Sequence, residues 1–172
     1  MDLRFITPSL RKLDLAGSEV LAACTFENER PPHGVAGLVD FRLAGRVSNL
    51  MLRGDISGKL GEVALLPGKP RLSFDKVLLF GGGDLGELND RVFGLIIEGM
   101  LATLSGLRAR SAVVELPGRH VDAIEPDRAA DLLLERAASR PEHDLWTLVE
   151  PVDAQRVINQ RMIQERRRVR TL

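Results

Sequence analysis

The stretch that most constrains this chain runs from Leu72 to Leu107. An apolar strand, Lys76 to Phe80, meets Gly81-Gly82-Gly83-Asp84-Leu85-Gly86 and then a long apolar helix. The strand is nearly continuous in apolar residues, so it belongs inside a sheet covered on both faces. A strand that opens through glycines into a helix predicts backbone N–H groups free at the helix start, where the helix dipole also favours an anion. Gly81, Gly82, Gly83, Asp84 and Gly86 are therefore a candidate ligand loop. In the helix that follows, Val92, Phe93, Ile96, Ile97, Met100, Leu104 and Leu107 share one broad face. Leu95 and Leu101 widen it, which predicts burial on more than one side.

The rest of the chain alternates around this unit. Leu3 to Ile6 reads as a first strand that ends at Thr7-Pro8, because proline cannot donate to a sheet ladder. The apolar residues from Leu13 to Phe26 suggest two further strands around Gly17-Ser18, the second of them, Glu19 to Phe26, buried on both faces. A loop through Pro31-Pro32 leads into Val35 to Arg53, whose apolar residues fall at helical spacing and predict one amphipathic helix, capped by Gly54. Short strands are expected over Glu62 to Leu66, Ala112 to Leu116 and Leu145 to Val149, with a helix from Pro126 to about Ser139 between the last two. Alternating strands and helices predict an α/β sandwich with a largely parallel or mixed central sheet. Residues 1–152 read as one domain, and 153–172 as a basic helical extension.

Twenty-four basic and twenty-four acidic residues cancel, which removes the global electrostatic attraction of most nucleic-acid or anionic-membrane binders. The single cysteine, Cys24, excludes an internal disulfide framework and any multi-cysteine zinc or iron–sulfur site. No apolar run resembles a signal peptide or approaches the roughly 20 residues needed to span a bilayer. A cytoplasmic location is the expectation.

Several runs resemble a known family. They are Ala22 to Phe26, Pro32 to Ser48 (Pro-His-Gly-Val-Ala-Gly-Leu-Val-Asp-Phe-Arg-Leu-Ala-Gly-Arg-Val-Ser), Gly58 to Glu62 and Lys76 to Gly81. In this order they look like the N-terminal domain of the cytosolic leucyl aminopeptidases, over roughly residues 18–116. The resemblance implies a macro-domain-like, three-layer α/β sandwich with a mixed central sheet flanked by helices. In that family a separate C-terminal domain holds two divalent metals through several Asp and Glu ligands and a Lys. Nothing in this sequence matches those motifs, so no catalytic residue, metal ligand or cofactor is carried over. The resemblance implies a non-catalytic binding, assembly or regulatory module. The alternative is a macro-like site for ADP-ribose or a nucleotide at Gly81 to Gly86.

For that loop the plain reading is a tight strand-to-helix turn, and Asp84 and Glu87 would repel a phosphate. His33, His120 and His143 adjoin loop residues and read as surface histidines. In the C-terminal segment, Ile158, Met162 and Val169 form a narrow apolar stripe with Arg156, Arg167 and Arg170 roughly opposite. These six are candidate contacts for a protein partner or a second copy, or the helix folds back on the domain. Nucleic acid is disfavoured as a partner, because no aromatics interleave the arginines.

Overall fold

In a computed structural model, residues 1–169 are described, with side chains through residue 164. Six strands, β1 (Asp2–Ile6), β2 (Val20–Thr25), β3 (Val63–Pro67), β4 (Lys76–Gly81), β5 (Ser111–Val114) and β6 (Leu145–Val149), form one sheet in the order β1-β6-β5-β2-β4-β3. All neighbours are parallel except the edge hairpin of β3 and β4. The expected mixed sheet is thus present. All six residues of β2 are buried, and so are Val77 to Gly81 of β4, as their unbroken apolar runs predict.

Helices cover both faces. On one side α4 (Asp90–Gly106) and α5 (Pro126–Ala137) bury Phe93, Ile97, Met100, Leu104, Ala129 and Leu133 against Ala22, Leu78, Val114 and Trp146. On the other side lie α1 (Leu10–Ala16), α2 (Gly34–Arg42) and α3 (Arg46–Leu52). They contribute Leu13, Val35, Val39, Val47 and Met51 against Leu21, Ala23 and Val77. This is the macro-like, three-layer α/β sandwich that the resemblance implies.

Two local expectations are corrected. Leu13 and Leu15 lie in α1 and not in a strand. Ser9 caps this helix by accepting the Lys12 N–H at 3.2 Å, and a seven-residue helix needs only Leu13 in the core, leaving Leu15 exposed. The segment 35–53 is two helices, because Ala44 and Gly45 take φ of 57° and 79° and end α2. Gly45 N-caps α3, and the Asp40 carboxylate accepts the Ser48 N–H at 2.9 Å. Both helices keep their apolar residues on one core, which is why the spacing looks continuous. Gly54 ends α3 in the left-handed conformation as expected.

The last helix, α6 (Val152–Val169), lies against α5. Ala154 and Ile158 are buried, Arg161 pairs with Asp131 of α5 at 3.0 Å, and the Gln155 amide donates to the Glu150 carbonyl at 2.7 Å. Among the described residues no helix is long and apolar enough to cross a membrane.

Candidate functional site

The glycine loop is organised inward. The Gly81 N–H donates to the Glu62 carbonyl at 2.8 Å, Gly82 to Thr25 at 2.9 Å and Gly83 to Gly58 at 2.8 Å. The Leu85 N–H goes to the Asn28 side-chain oxygen and the Gly86 N–H to the Asp84 carboxylate. The long helix does not open at these glycines: a 3-10 turn, Leu85–Glu87, intervenes, and α4 starts at Asp90 under an Asn89 cap. The expectation of free N–H groups at a helix start therefore fails at Gly81, Gly82, Gly83 and Gly86. Close packing explains the glycines. A Cβ on Gly81 would fall 2.8 Å from the Lys59 carbonyl carbon and nearer still to its oxygen, and one on Gly82 would sit 2.7 Å from Phe26 Cδ1 and nearer still to Cε1 of that ring.

A larger cavity lies beside this loop. All five parallel strands end on one edge, and the segments that follow them line a cleft of about 570 Å³. Pro8 follows β1, Asn28 to Gly34 follow β2, Leu85 follows β4, Glu115 and Arg119 to Asp122 follow β5, and Glu150 and Pro151 follow β6. The carboxyl edge of a parallel sheet, where strand order reverses, is where α/β folds hold ligands.

Charge in the cleft is buried and mostly paired. Arg119 and Glu150, each with a side chain 1% exposed, form a bidentate pair at 2.8 and 3.0 Å. The second Arg119 amino group donates to the Asp122 carboxylate and the Ile124 carbonyl. His120 contacts Glu29 at 2.7 Å. Glu115 differs from these: it is 4% exposed, and both its oxygens accept the same donor, the Val35 N–H at the start of α2, at 3.1 and 3.0 Å. Gly34, at φ +60°, must lack a side chain here, since a Cβ would lie 2.7 Å from both Glu115 oxygens.

Burial pushes the Glu115 carboxyl up to about 8; the Val35 N–H opposes this, while Glu150 and Glu29 add repulsion. Burial also raises Glu150, against the Arg119 pair. Cys24 on β2 is fully buried, and burial followed by the charges of Glu115 and Glu29 lifts its thiol well above the ordinary range. A thiol held protonated is not a nucleophile. Among the described residues no group of three His, Cys, Asp or Glu side chains is arranged to hold a metal ion.

The histidines correct a second expectation. His33 is exposed at the mouth of the cleft, but His120 is nearly buried in its wall and His143 is fully buried. His143 stands edge-on to Trp146, with Nε2 3.1 Å from both the Leu101 carbonyl and Ser105 Oγ. Burial lowers its pKa, with Glu142 and the Leu101 carbonyl opposing. The unfolded chain therefore binds the proton more tightly, and this contribution to stability is complete above pH ~6.5 and lost as pH falls through the folded pKa. In paired urea titrations, the deficit of His143→Gln against the parent is expected to narrow as pH falls from ~7.5 to ~5. A pH-independent deficit would show that burial of the neutral ring does not matter.

Of the C-terminal candidates, Arg156 is exposed beside Asp153, Met162 is half-buried and Ile158 is fully buried in the chain's own body. Arg167 and Val169, as side chains, and Arg170 lie outside the described residues. The cleft acids Glu29, Glu115 and Glu150 are missed by sequence reasoning. The signal that finds two of them is a glutamate directly after an apolar strand, in Val113-Val114-Glu115 and Leu148-Val149-Glu150.

Comparison with known proteins agrees with the fold. The family described as "Cytosol aminopeptidase family, N-terminal domain" matches residues 24–140. The cytosol aminopeptidase of Pseudomonas aeruginosa is 36% identical over 103 residues, which cover 60% of this chain and 21% of that protein. Among solved structures, a tomato leucine aminopeptidase mutant superposes with a TM-score of 0.64 at 14% identity, covering 94% of this chain and 35% of that one. An Oceanobacillus iheyensis macrodomain with ADP gives 0.67 at 12% identity, covering 90% and 89%. At these identities the superpositions speak for the fold alone. The chain spans about a fifth of the length of the curated relatives it matches. It belongs to the cytosol aminopeptidase family, through that family's N-terminal domain.

Proposed function

We propose that this chain acts as a binding module of the aminopeptidase N-terminal type, non-catalytic by itself, with the carboxyl-edge cleft as its ligand seat and the cytoplasm as its location. One observation carries the reading. The cleft is a cavity large enough for a small molecule, and its Arg119 and Glu150 are locked into internal pairs. Such an arrangement holds a ligand, and it leaves neither a free nucleophile nor a base positioned on one. Association with a protein partner or a second copy is part of the proposal. An exposed apolar row of Leu60, Val63, Leu65 and Leu95 beside edge strand β3 supports it.

The test is a peptidase assay of the purified chain on leucine p-nitroanilide with manganese or zinc. No turnover above the metal-only blank is expected, and hydrolysis that follows the chain through purification overturns the reading. A second reading, a nucleotide or ADP-ribose site at Gly81, Gly82, Gly83, Asp84 and Gly86, draws support from the macrodomain solved with ADP. The internal hydrogen bonds of those N–H groups weigh against it.

A further inference from the structure

We propose that the cleft seats a small organic cation, a ligand that presents a primary ammonium or guanidinium group to Glu115. This rests on the reading of the cleft as a ligand seat and gives that ligand a chemistry. The first ground is a buried acid to which no cationic side chain bonds. A carboxyl group offers about four acceptor sites, yet the two Glu115 oxygens share one backbone donor in the wall of a cavity.

No cation of the cleft bonds to this acid, although the Arg119 charge acts on it from a distance. Arg119 makes its hydrogen bonds to Glu150, Asp122 and the Ile124 carbonyl. Arg30 donates to the Ser57 carbonyl, and His120 Nε2 is engaged by Glu29. A buried ionised group without a partner is costly, so the site as it stands favours a proton on Glu115.

The second ground is what the cleft refuses. An anionic ligand at a sheet edge is normally received by the N–H groups at a helix start. Here the start of α2 is already filled by the Glu115 carboxyl. Glu29, Glu115, Asp122 and Glu150 line the cavity against Arg30 and Arg119, so once Glu115 is ionised the carboxylates outnumber the guanidinium groups four to two and a phosphate would meet an excess of its own sign. An ammonium or guanidinium enters an attractive one and can bond directly to a carboxylate. The groups facing Glu115 are Cys24 of β2, Glu29 of the following loop, Arg119 and His120 after β5, and Glu150 after β6. With a cation in place the ionised form of Glu115 is favoured again. Binding therefore releases a proton, and affinity rises as pH rises towards 8.

Calorimetric titration of the intact chain with agmatine and L-argininamide at pH 7, in phosphate and in Tris, tests this. Saturable heat is expected, and its difference between the buffers should report nearly one proton released per ligand. Glu115→Gln, the neutral isostere, should bind at least about tenfold more weakly and release no proton. Glu29→Gln should weaken binding but keep the release, so the result does not depend on one variant folding well. Saturation by neither cation at about 10 mM, or equal binding by Glu115→Gln, overturns the proposal. If ADP-ribose saturates the cleft where the cations do not, the cation is excluded while the ligand seat stands. If every probe is silent, the cation is excluded and the non-catalytic reading is left to the peptidase assay.

Discussion

Replacing Gly81 by alanine is expected to destabilise the fold by about 3 kcal/mol or more. The new methyl group would press into the Lys59 backbone, with its carbonyl carbon at 2.8 Å and the Gly58 carbonyl carbon at 3.0 Å. Backbone cannot swing aside as a long side chain can. Relief requires the 58–62 loop to lift, which strains the bonds from Gly81 N–H to Glu62 and from Gly83 N–H to Gly58. For a chain of this size the loss should lower Tm by roughly 6–12 °C. Gly99→Ala in α4 is the matched control. Nothing lies within 4 Å of its added Cβ, and alanine is the better helix former by about 1 kcal/mol, so it should leave Tm unchanged or raised. Equal behaviour of the two variants would sink the packing account of the glycine run.

Glu115→Gln should produce the second large effect, visible as a change in how stability depends on pH. The folded pKa of Glu115, about 8, lies above its ordinary 4.5, so the folded state binds more protons between those values. Its contribution is fully present below pH ~4.5 and is lost as pH rises through about 8. The difference between the two values corresponds to a loss of at most about 5 kcal/mol. Glutamine keeps an acceptor for the Val35 N–H and carries no charge. The variant should therefore gain on the parent steadily from pH 5.5 to 8.5 in urea titrations. A constant difference across that range would mean that Glu115 stays ionised in the fold. Glu150, also raised, acts in the same direction and remains in both proteins. Depression of His143 acts with the opposite sign below pH ~6.5.

The strands that mattered were legible because each is an apolar run buried on both faces, as in Val20–Thr25 and Lys76–Gly81. Periodicity was a poorer guide where one core collects two elements. Val35, Val39, Val47 and Met51 lie on one stripe although Ala44 and Gly45 break the helix between them. Leu13 and Leu15 were misread because a seven-residue helix and a short strand offer the same two apolar positions, and Ser9 decides between them. Glycine spacing suggested an anion cradle, yet close approach of the 58–62 loop and of Phe26 uses the same residue type. The cleft itself was illegible. Glu29, Glu115 and Glu150 stand far apart along the chain, and only the parallel register of β2, β5 and β6 brings them to one edge.

That register also sets an order in time. Strand β1, the first element of the chain, has β6 as its sheet neighbour, with Asp2 opposite Leu145 and Ile6 opposite Val149. The family match ends at residue 140, before the strand that joins β1 to β5. A chain made from its N-terminus can pair β2, β4 and β5 early, while β1 waits for a partner until residues 145–149 have been made. Within this sheet the strand made earliest is thus among the last to be fastened, and residues 145–149 act as its closing stitch.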